Sequence, residues 1–472
     1  MQPRTDPCCG PQAPLRVDGV PDRTYYRTPA TAPGPAGWQM LARFEAVANR
    51  PLEFLRAARG QYGPVVQFPI PQPPTFLIDD PHLVRSVLMA YDHDFDKDTV
   101  QYRALSLVTG DGLLAAPEAT WRQQRPVVQP AFHRSTLQRL VGDAQAATAR
   151  LVRRWDLVPS GGVVDIESAM LRVGLEVVGS HLFDADLQEA APRLARATMD
   201  ALDAVIASVR LPWAALRGLP TPAQARYRTA MAALDAAVDQ LVSERLAGGS
   251  QREDLLGLLL AAYPGDPVAV RNQIITFLVA GHETVASALT WTLGLLAHHP
   301  QEQDRAAVEA AEVLGGRLPG LEELDALPQT RACVDEGLRL YPPAWVITRS
   351  ASKRMVIGGR EIPPGALVVI SPWLLHRDRS RWPLPDRFLP ERFAGKPGSV
   401  ARAATTRAEY LPFGTGPRLC IGRDFALLEA AVVLAPLLQR YRLTPLSPAL
   451  PDMEPLVTLR PRGGLRLRLR QR

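Results

Sequence analysis

The sequence predicts a mainly α-helical fold with a small β region, organised as one large domain. Helical periodicity dominates from about residue 117 to residue 314, whereas strand-like runs are short and confined to the regions before and after it. The 45 prolines are spread along the chain, and neither a Gly/Ser tract nor an internal repeat separates two halves. We therefore expect residues 31–472 to fold as a single unit.

The N-terminal part begins without a packing signal. Residues 1–30 are rich in proline and charge and contain no apolar run, which predicts a disordered leader and neither a signal peptide nor a membrane anchor. A helix signal begins near Trp38. Two strand-like runs follow, Val65–Phe68 and Pro74–Ile78, and a turn signal at Asp79-Asp80-Pro81 ends the second.

The C-terminal part predicts the second β region. Short strands are expected between Val346 and Ile370. The chain then ends with Leu456–Leu459, a turn at Pro461–Gly464 and a run over Leu465–Leu469, an order that predicts a β-hairpin. Three arginines alternate with leucines in the last run and indicate a solvated strand face: Arg466, Arg468 and Arg470. No βαβ series and no dinucleotide fingerprint is found.

Charge and cysteine content limit the partners and the compartment. The net charge is +6, and the basic residues are scattered, which argues against a nucleic-acid partner and leaves a local basic face for an acidic protein open. The four cysteines, Cys8, Cys9, Cys333 and Cys420, lack zinc-ligand spacing. A reducing cytoplasm is the expected compartment.

The most informative segment is Phe413–Gly422, which sets Cys420 in a glycine-punctuated loop ahead of an apolar helix. Glycines let a backbone approach a flat ligand closely. A thiolate at a helix start is favoured by free N–H groups and the helix dipole, and it can serve as an axial haem ligand. A lone cysteine is commonly only a small buried hydrophobe. The fixed spacing to Phe413 and Arg418 favours haem ligation instead.

The helix Ile274–His298 is apolar on nearly every face, which predicts burial through the core. Ala280 and Thr284 are four apart and share one face, so small residues open a notch at mid-helix. The Thr284 hydroxyl beside the Glu283 carboxylate can relay protons. The alternative is a kinked helix with a solvated glutamate.

Two further groups surround this pair. Glu336 and Arg339 are three apart on one helix, and Arg392 can share the same carboxylate; such a network would support the cysteine loop, whereas an exposed pair would contribute little. Four side chains offer N–H donors suited to haem propionates, with solvated surface charges as the alternative for each arginine: Trp121, Arg125, Arg349 and Arg418.

Together these elements resemble the cytochrome P450 superfamily over roughly Trp38 to Arg468. The resemblance implies the cytochrome P450 fold, with haem b as the cofactor and Cys420 as the axial ligand of its iron. It implies the following roles: Phe413, Trp121, Arg125, Arg349 and Arg418 at the cofactor, Glu283 and Thr284 as the catalytic acid–alcohol pair, and Glu336, Arg339 and Arg392 as a structural triad. Val285 stands where the family commonly has a second hydroxyl residue.

The resemblance also implies an O₂-dependent monooxygenase. The chain carries no flavin or iron–sulfur signature, so electrons are expected from a separate ferredoxin-type donor with its reductase. Three arginines are candidates for the face on which that donor docks: Arg134, Arg139 and Arg423.

Four stretches are similar to bacterial P450s that hydroxylate the β-ionone ring of β-carotene: Gln101–Ser106, Val279–Trp291, Leu340–Trp345 and Gly422–Glu429. The first is expected to be a loop that lines the substrate cavity. The expected activity is therefore ring hydroxylation at C2 or C3 in carotenoid biosynthesis, by a cytoplasmic enzyme. Leu211–Leu216 is either an apolar lip that contacts the membrane peripherally or a segment that packs within the fold. Three alternatives remain: a long-chain fatty-acid hydroxylase, a hydrogen-peroxide-driven peroxygenase and a non-catalytic haem sensor or carrier.

Overall fold

The computed structural model describes residues 31–70, 73–210, 222–248, 254–394 and 407–472. The expected leader, residues 1–30, and the expected apolar lip, Leu211–Leu216, lie outside these ranges.

Helices form most of the described chain, as the periodicity predicts. Their bounds are α1 Gly37–Ala42, α2 Phe44–Asn49, α3 Pro51–Tyr62, α4 Pro81–Arg85, α5 Val100–Thr109, α6 Glu118–Val128, α7 Leu137–Asp156, α8 Ile166–Phe183, α9 Ala191–Arg210, α10 Pro222–Ala247, α11 Leu255–Ala262, α12 Pro267–His298, α13 Pro300–Leu314, α14 Pro328–Leu340, α15 Pro372–Leu375 and α16 Arg423–Arg440.

Short strands form the β region. Their bounds are β1 Val65–Phe68, β2 Thr75–Ile78, β3 Phe95–Asp96, β4 Val163–Asp165, β5 Ile347–Ala351, β6 Met355–Ile357, β7 Arg360–Ile362, β8 Leu367–Ile370, β9 Tyr441–Pro445, β10 Met453–Pro455, β11 Leu459–Pro461 and β12 Arg466–Gln471.

The largest sheet joins both predicted strand regions, with the strand order β1-β2-β8-β5-β3. Strands β1 and β2 pair antiparallel, with Val65 opposite Ile78. Strand β2 pairs parallel with β8, and β8 pairs antiparallel with β5. The strands predicted at Val65–Phe68 and near residues 74–78 are therefore confirmed.

The predicted C-terminal hairpin is wrong in its pairing. Residues 456–458 form the turn between β10 and β11 and not a strand, and β10 pairs with β11. Strand β12 pairs instead with β9 and β4. The leucines of β12 are buried in the main hydrophobic core, and its arginines are exposed, so the solvated face was predicted correctly.

The stretch Gln101–Ser106 is also not a loop. It lies within α5, which begins after Thr99, whose hydroxyl accepts a hydrogen bond from the Tyr102 N–H at 3.4 Å. This N-cap satisfies one of the free donors at the start of the helix. The sequence lacks strong apolar periodicity over these ten residues, which explains why the helix was missed.

Helix α12 crosses the core, as its apolar composition predicts. Asp266 caps it by accepting from the Ala269 N–H, and Pro267 starts its first turn. The helix is long and apolar enough to span a membrane, but nearly every residue from Gln273 to Ala297 is buried by protein. Its composition is therefore that of the core helix of a large domain.

Two glycines allow α12 to approach α8 closely. A Cβ on Gly174 would lie 3.1 Å from the Cα of His282, and a Cβ on Gly281 would lie 2.7 Å from Cγ2 of Val178. Gly281 is therefore required by this helix packing, in addition to its place beside the predicted notch. His282 is fully buried there, where burial lowers the pKa of its imidazole. It is a core histidine.

Candidate functional site

The loop before α16 is folded tightly around Cys420. The Cys420 N–H donates to the Phe413 carbonyl at 3.0 Å, and the Leu419 N–H donates to the Gly416 carbonyl at 3.0 Å. Gly416 has a φ of 75°, and a Cβ there would lie 2.0 Å from the Leu88 carbonyl oxygen. Only glycine fits this position, because both its φ and its close contact exclude a side chain.

The environment of Cys420 shifts the pKa of its thiol. The thiol is unpaired and keeps accessible surface, yet surrounding protein raises its pKa by desolvation. The Gly422 N–H and the positive charges of Arg125 and Lys97 oppose that rise. In the protein alone, burial therefore raises the pKa of the Cys420 thiol more than the start of the helix lowers it. A metal ion would reverse the balance, since a coordinated thiol is deprotonated.

The predicted propionate partners converge beside this cysteine. Arg125 donates from Nη1 to the Leu419 carbonyl at 3.4 Å. The Arg418 guanidinium stacks over the Trp121 ring at 4.2 Å and donates to the Glu118 carboxylate at 2.6 Å. Together these contacts bring the start of α6 against the cysteine loop.

Arg349 reaches the same region from strand β5. It is 5 % exposed, and Nη1 donates to the Thr348 carbonyl at 2.9 Å. The sequence singled out this arginine without a motif, and the structure places it where its charge acts on Lys97.

Lys97 is the site residue that the sequence reasoning missed. Its ammonium is buried, donates to the Leu114 carbonyl at 3.2 Å and lies 4.7 Å from the Tyr102 ring centroid. Burial, reinforced by the charges of Arg349 and Arg418, holds the pKa of Lys97 well below its usual range. The rarity of lysine could have drawn attention to it, because only three of the 54 lysine and arginine residues in the chain are lysines.

The donor set fits a dianionic cofactor such as haem. Among the described residues, no carboxylate lies within ion-pair distance of Lys97, Arg125 or Arg349, whereas Arg418 pairs with Glu118. Buried cations without a carboxylate are costly unless an anion completes them. Three such cations beside one accessible thiol match the two propionates and the iron of haem.

The notch predicted on α12 is present. Ala280, Gly281 and Thr284 are half-buried, while their neighbours along the helix are buried. The Thr284 hydroxyl donates to the Ala280 carbonyl at 2.7 Å. The accessible strip of this helix therefore carries one hydroxyl and no charge.

The Glu283 carboxylate points to a different set of partners. It is 2 % exposed and accepts from the Thr458 hydroxyl at 2.7 Å and from Arg460 Nε at 3.1 Å. No hydrogen bond joins it to the Thr284 hydroxyl among the described residues. The predicted acid is thus held in a buried ion pair with β11, a relationship that the sequence did not indicate, and the alternative of a solvated glutamate is wrong.

An aromatic bridge connects the notched helix to the cysteine helix. The Phe132 ring lies 5.5 Å from the Phe277 ring of α12 and 4.9 Å from the Phe425 ring of α16, measured between centroids. Both contacts come from one side chain, so the spacing of α12 and α16 is fixed on the side of the cysteine loop.

The predicted triad forms as expected. Glu336 and Arg339 are both fully buried, and Arg339 donates to both carboxylate oxygens at 2.6 and 2.8 Å. Arg392 Nε donates to Glu336 Oε1 at 3.3 Å. Arg339 also donates to the His376 carbonyl at 2.7 Å, and His376 Nε2 accepts from the Leu411 N–H at 2.7 Å. This chain of bonds connects the triad to the segment leading into the cysteine loop.

A largely helical fold defines a haem-thiolate protein when, among the described residues, an accessible thiol lies beside three cations without a carboxylate partner and beside a notched core helix. The family model for Cytochrome P450 matches residues 32–467, and the chain belongs to the cytochrome P450 family. It is a cytochrome P450 monooxygenase whose cofactor is haem.

Similar proteins cover almost the whole chain. Cyclooctat-9-en-7-ol 5-monooxygenase from Streptomyces melanosporofaciens is 34% identical over 92% of this chain and 94% of its own length. Pentalenene oxygenase from Streptomyces avermitilis is 34% identical over 93% and 96%. Leukotriene-B4 omega-hydroxylase 3 from Mus musculus is 31% identical over 84% and 81%.

A solved structure shows the same fold. The crystal structure of CYP175A1 from Thermus thermophilus aligns with a TM-score of 0.76 and 32% identity, covering 93% of this chain and 100% of that one. The relatives named as oxygenases and hydroxylases support a monooxygenase that acts on apolar substrates.

Proposed function

We propose that this protein hydroxylates the β-ionone ring of a carotenoid, at C2 or C3, in carotenoid biosynthesis. The observation that carries the apolar part of this proposal is the accessible strip Ala280–Thr284, which offers small apolar surface and a single hydroxyl on an otherwise buried helix. The choice of a carotenoid ring rests on the similarity of the stretches around Gln101–Ser106 and Val279–Trp291 to ring-hydroxylating P450s.

The residues of this chain divide the work as follows. Cys420 would hold the iron, and the Phe413 carbonyl fixes the cysteine loop. The propionates would be held by five side chains: Lys97, Trp121, Arg125, Arg349 and Arg418. Haem bound in this way supplies oxygen activation, because a thiolate ligand favours O–O cleavage.

Proton delivery falls to Thr284 and Glu283. The Thr284 hydroxyl would turn from the Ala280 carbonyl to pass its proton into the notch, and a proton from the Glu283 side would replace it. A hydroxyl is suited to such a relay because it donates and accepts at the same atom. The peroxygenase alternative needs no such pair, so Thr284 argues against it.

The electron donor is proposed to be a ferredoxin-type protein with its reductase. Arg134 and Arg139 are exposed. Arg423, at the start of α16, is half-buried beside Asp424, with which it pairs at 2.9 Å. Arg423 begins the helix that follows the cysteine loop, and Arg139 lies on α7, which packs against that helix. A basic face there would attract an acidic partner. The proposed localisation is the cytoplasm with peripheral membrane contact, since a long polyene reaches the enzyme from a membrane.

A fatty-acid hydroxylase is the second candidate, because one relative is named as an omega-hydroxylase of leukotriene B4. Titration of the purified ferric protein separates the two. We expect β-carotene to shift the haem absorption spectrum from low to high spin, and turnover with ferredoxin, reductase and O₂ to add one oxygen atom to the ring. A shift with a C16 fatty acid and none with β-carotene would transfer the proposal to the fatty-acid class.

A further inference from the structure

The ion pair that holds Glu283 extends beyond it. Arg460 Nη2 lies 2.9 Å from Glu283 Oε1 and 3.6 Å from Asp203 Oδ1. Arg460 is 6 % exposed, whereas the Asp203 side chain is 51 % exposed. One buried cation therefore stands between the acid beside Thr284 and a carboxylate at the surface of α9.

The hydrogen bonding around this arginine is incomplete. Arg460 Nη2 is buried and makes no hydrogen bond of good geometry to any described residue, although both carboxylates are near. All the recorded bonds to Glu283 go to Oε1, which leaves Oε2 without a donor among the described residues. The buried N–H left in this way calls for a water molecule beside it, because buried polar groups are nearly always satisfied.

A third carboxyl belongs to the same cluster. Glu167, at the start of α8, is half-buried, and a Cβ on Gly464 would lie 3.1 Å from its Oε2. Desolvation raises the pKa of Glu167 to about 7, against the lowering influence of Arg460. Desolvation also raises the pKa of Asp203. The charged groups that face these two carboxyls from the surrounding elements are Arg460, Glu283 and Glu454, with Asp165 acting on Glu167 and Asp200 on Asp203.

We propose that Asp203, Arg460 and Glu167 form the entry through which solvent protons reach Glu283, with Arg460 as the residue that positions the Glu283 carboxylate. A proton taken up at Asp203 Oδ1 passes through water to Glu283 Oε2 and from there to the Thr284 hydroxyl. Each carboxylate gains one proton and releases one, so the route is restored after every transfer. Glu167 exchanges a proton with solvent near neutral pH and buffers the route.

This inference rests on the proposed proton-delivery role of Glu283 and Thr284, and the experiment separates the two. The variants are Arg460→Gln, Arg460→Lys, Asp203→Asn and Glu167→Gln in the haem-loaded enzyme. The matched control is Asp304→Asn, which removes a carboxylate from a surface pair with Arg442 and Arg472. Product formed per electron pair, peroxide released, the KM for substrate and the pH profile are measured for each.

We expect Arg460→Gln to lower product per electron pair several-fold and to raise peroxide, with KM unchanged and with recovery in Arg460→Lys. Asp203→Asn should also change the pH profile of product per electron pair. Asp304→Asn should leave product per electron pair, peroxide release and the pH profile unchanged. Unchanged coupling and an unchanged pH profile in both Arg460→Gln and Asp203→Asn would overturn the entry route. If Thr284→Ala also leaves product per electron pair unchanged, the proposed proton delivery through Glu283 and Thr284 fails as well.

A second readout does not depend on turnover. Infrared titration of the resting protein should show a carboxylic acid band that disappears near pH 7 and is absent in Glu167→Gln. The titration midpoint should rise in Arg460→Gln, because the cation that favours the ionised form is gone. A band that is unaffected by Arg460→Gln would show that Glu167 and Arg460 are not coupled, and would remove Glu167 from the route.

Discussion

Arg339 and Glu336 form a fully buried, two-point ion pair, with nitrogen–oxygen distances of 2.6 and 2.8 Å. The remaining donors of Arg339 reach the carbonyls of His376, Pro385 and Arg387. One guanidinium thus holds α14 against the segment that leads to the cysteine loop. Such a pair gives little net stability when formed, but removal of one partner leaves a buried charge uncompensated.

Arg339→Met is therefore expected to lower the free energy of unfolding by about 3–5 kcal/mol. Equilibrium urea unfolding followed by circular dichroism measures this change. Arg442→Met serves as the control, because Arg442 is half-exposed in a surface pair whose loss costs about 1 kcal/mol or less. Equal effects of the two substitutions would contradict the structural role of the triad.

Thr284→Ala is expected to reduce product per electron pair by roughly 10- to 100-fold while oxygen consumption continues, because a positioned proton donor is lost. Peroxide release measured beside product formation checks this. Thr284→Ser keeps the hydroxyl and should restore most of the coupling. Full coupling in the alanine variant would contradict the proposed proton delivery through Thr284.

Lys97→Met is expected to have opposite effects on the two forms of the protein. In the haem-loaded form it removes a charge-assisted bond of about 1.5–3 kcal/mol, so haem should transfer to apomyoglobin at least about tenfold faster. In the haem-free form it removes a buried ammonium without a carboxylate, so thermal stability should stay equal or rise. Lys353→Met is the control, because the side chain of Lys353 is 60 % exposed. Unchanged haem transfer would exclude Lys97 from the propionate set.

Glu429 gives the fold a pH dependence of known sign. It is buried on α16, its Oε1 has no hydrogen-bond partner among the described residues, and desolvation raises its pKa to about 8 from 4.5. A carboxyl whose pKa is raised on folding contributes full stability below pH 4.5 and loses it as the pH rises to about 8. The loss is on the order of 4 kcal/mol.

Glu429→Gln should flatten this decline, so the variant should be more stable than the parent at about pH 9 and similar at about pH 5. Urea unfolding across that range measures the slope. Glu312→Gln, on the exposed face of α13, is the matched substitution. A slope that survives in Glu429→Gln would show that other groups set the pH dependence.

Local sequence determined much of the fold and the cofactor site. The burial of α12, the half-buried strip at Ala280 and Thr284, and the glycine loop around Cys420 follow from composition and spacing that act over a few residues. The triad also followed, because Glu336 and Arg339 share one helix turn. These features depend on periodicity and on the conformational freedom of glycine, which are properties of short segments.

The tertiary structure alone decided the remaining partners. Glu283 meets Arg460 across 177 residues, and Lys97 and Arg349 come together from segments that are distant in the chain. Strand β12 pairs with β9 and β4 and not with β11, in a sheet whose β12 leucines are buried in the main hydrophobic core. Such choices depend on which distant surfaces pack together and exclude water, and a buried charge takes its partner from that packing. The chain itself specifies a cysteine in a glycine loop and a hydroxyl in a notch, whereas the packed fold determines which buried charges surround them.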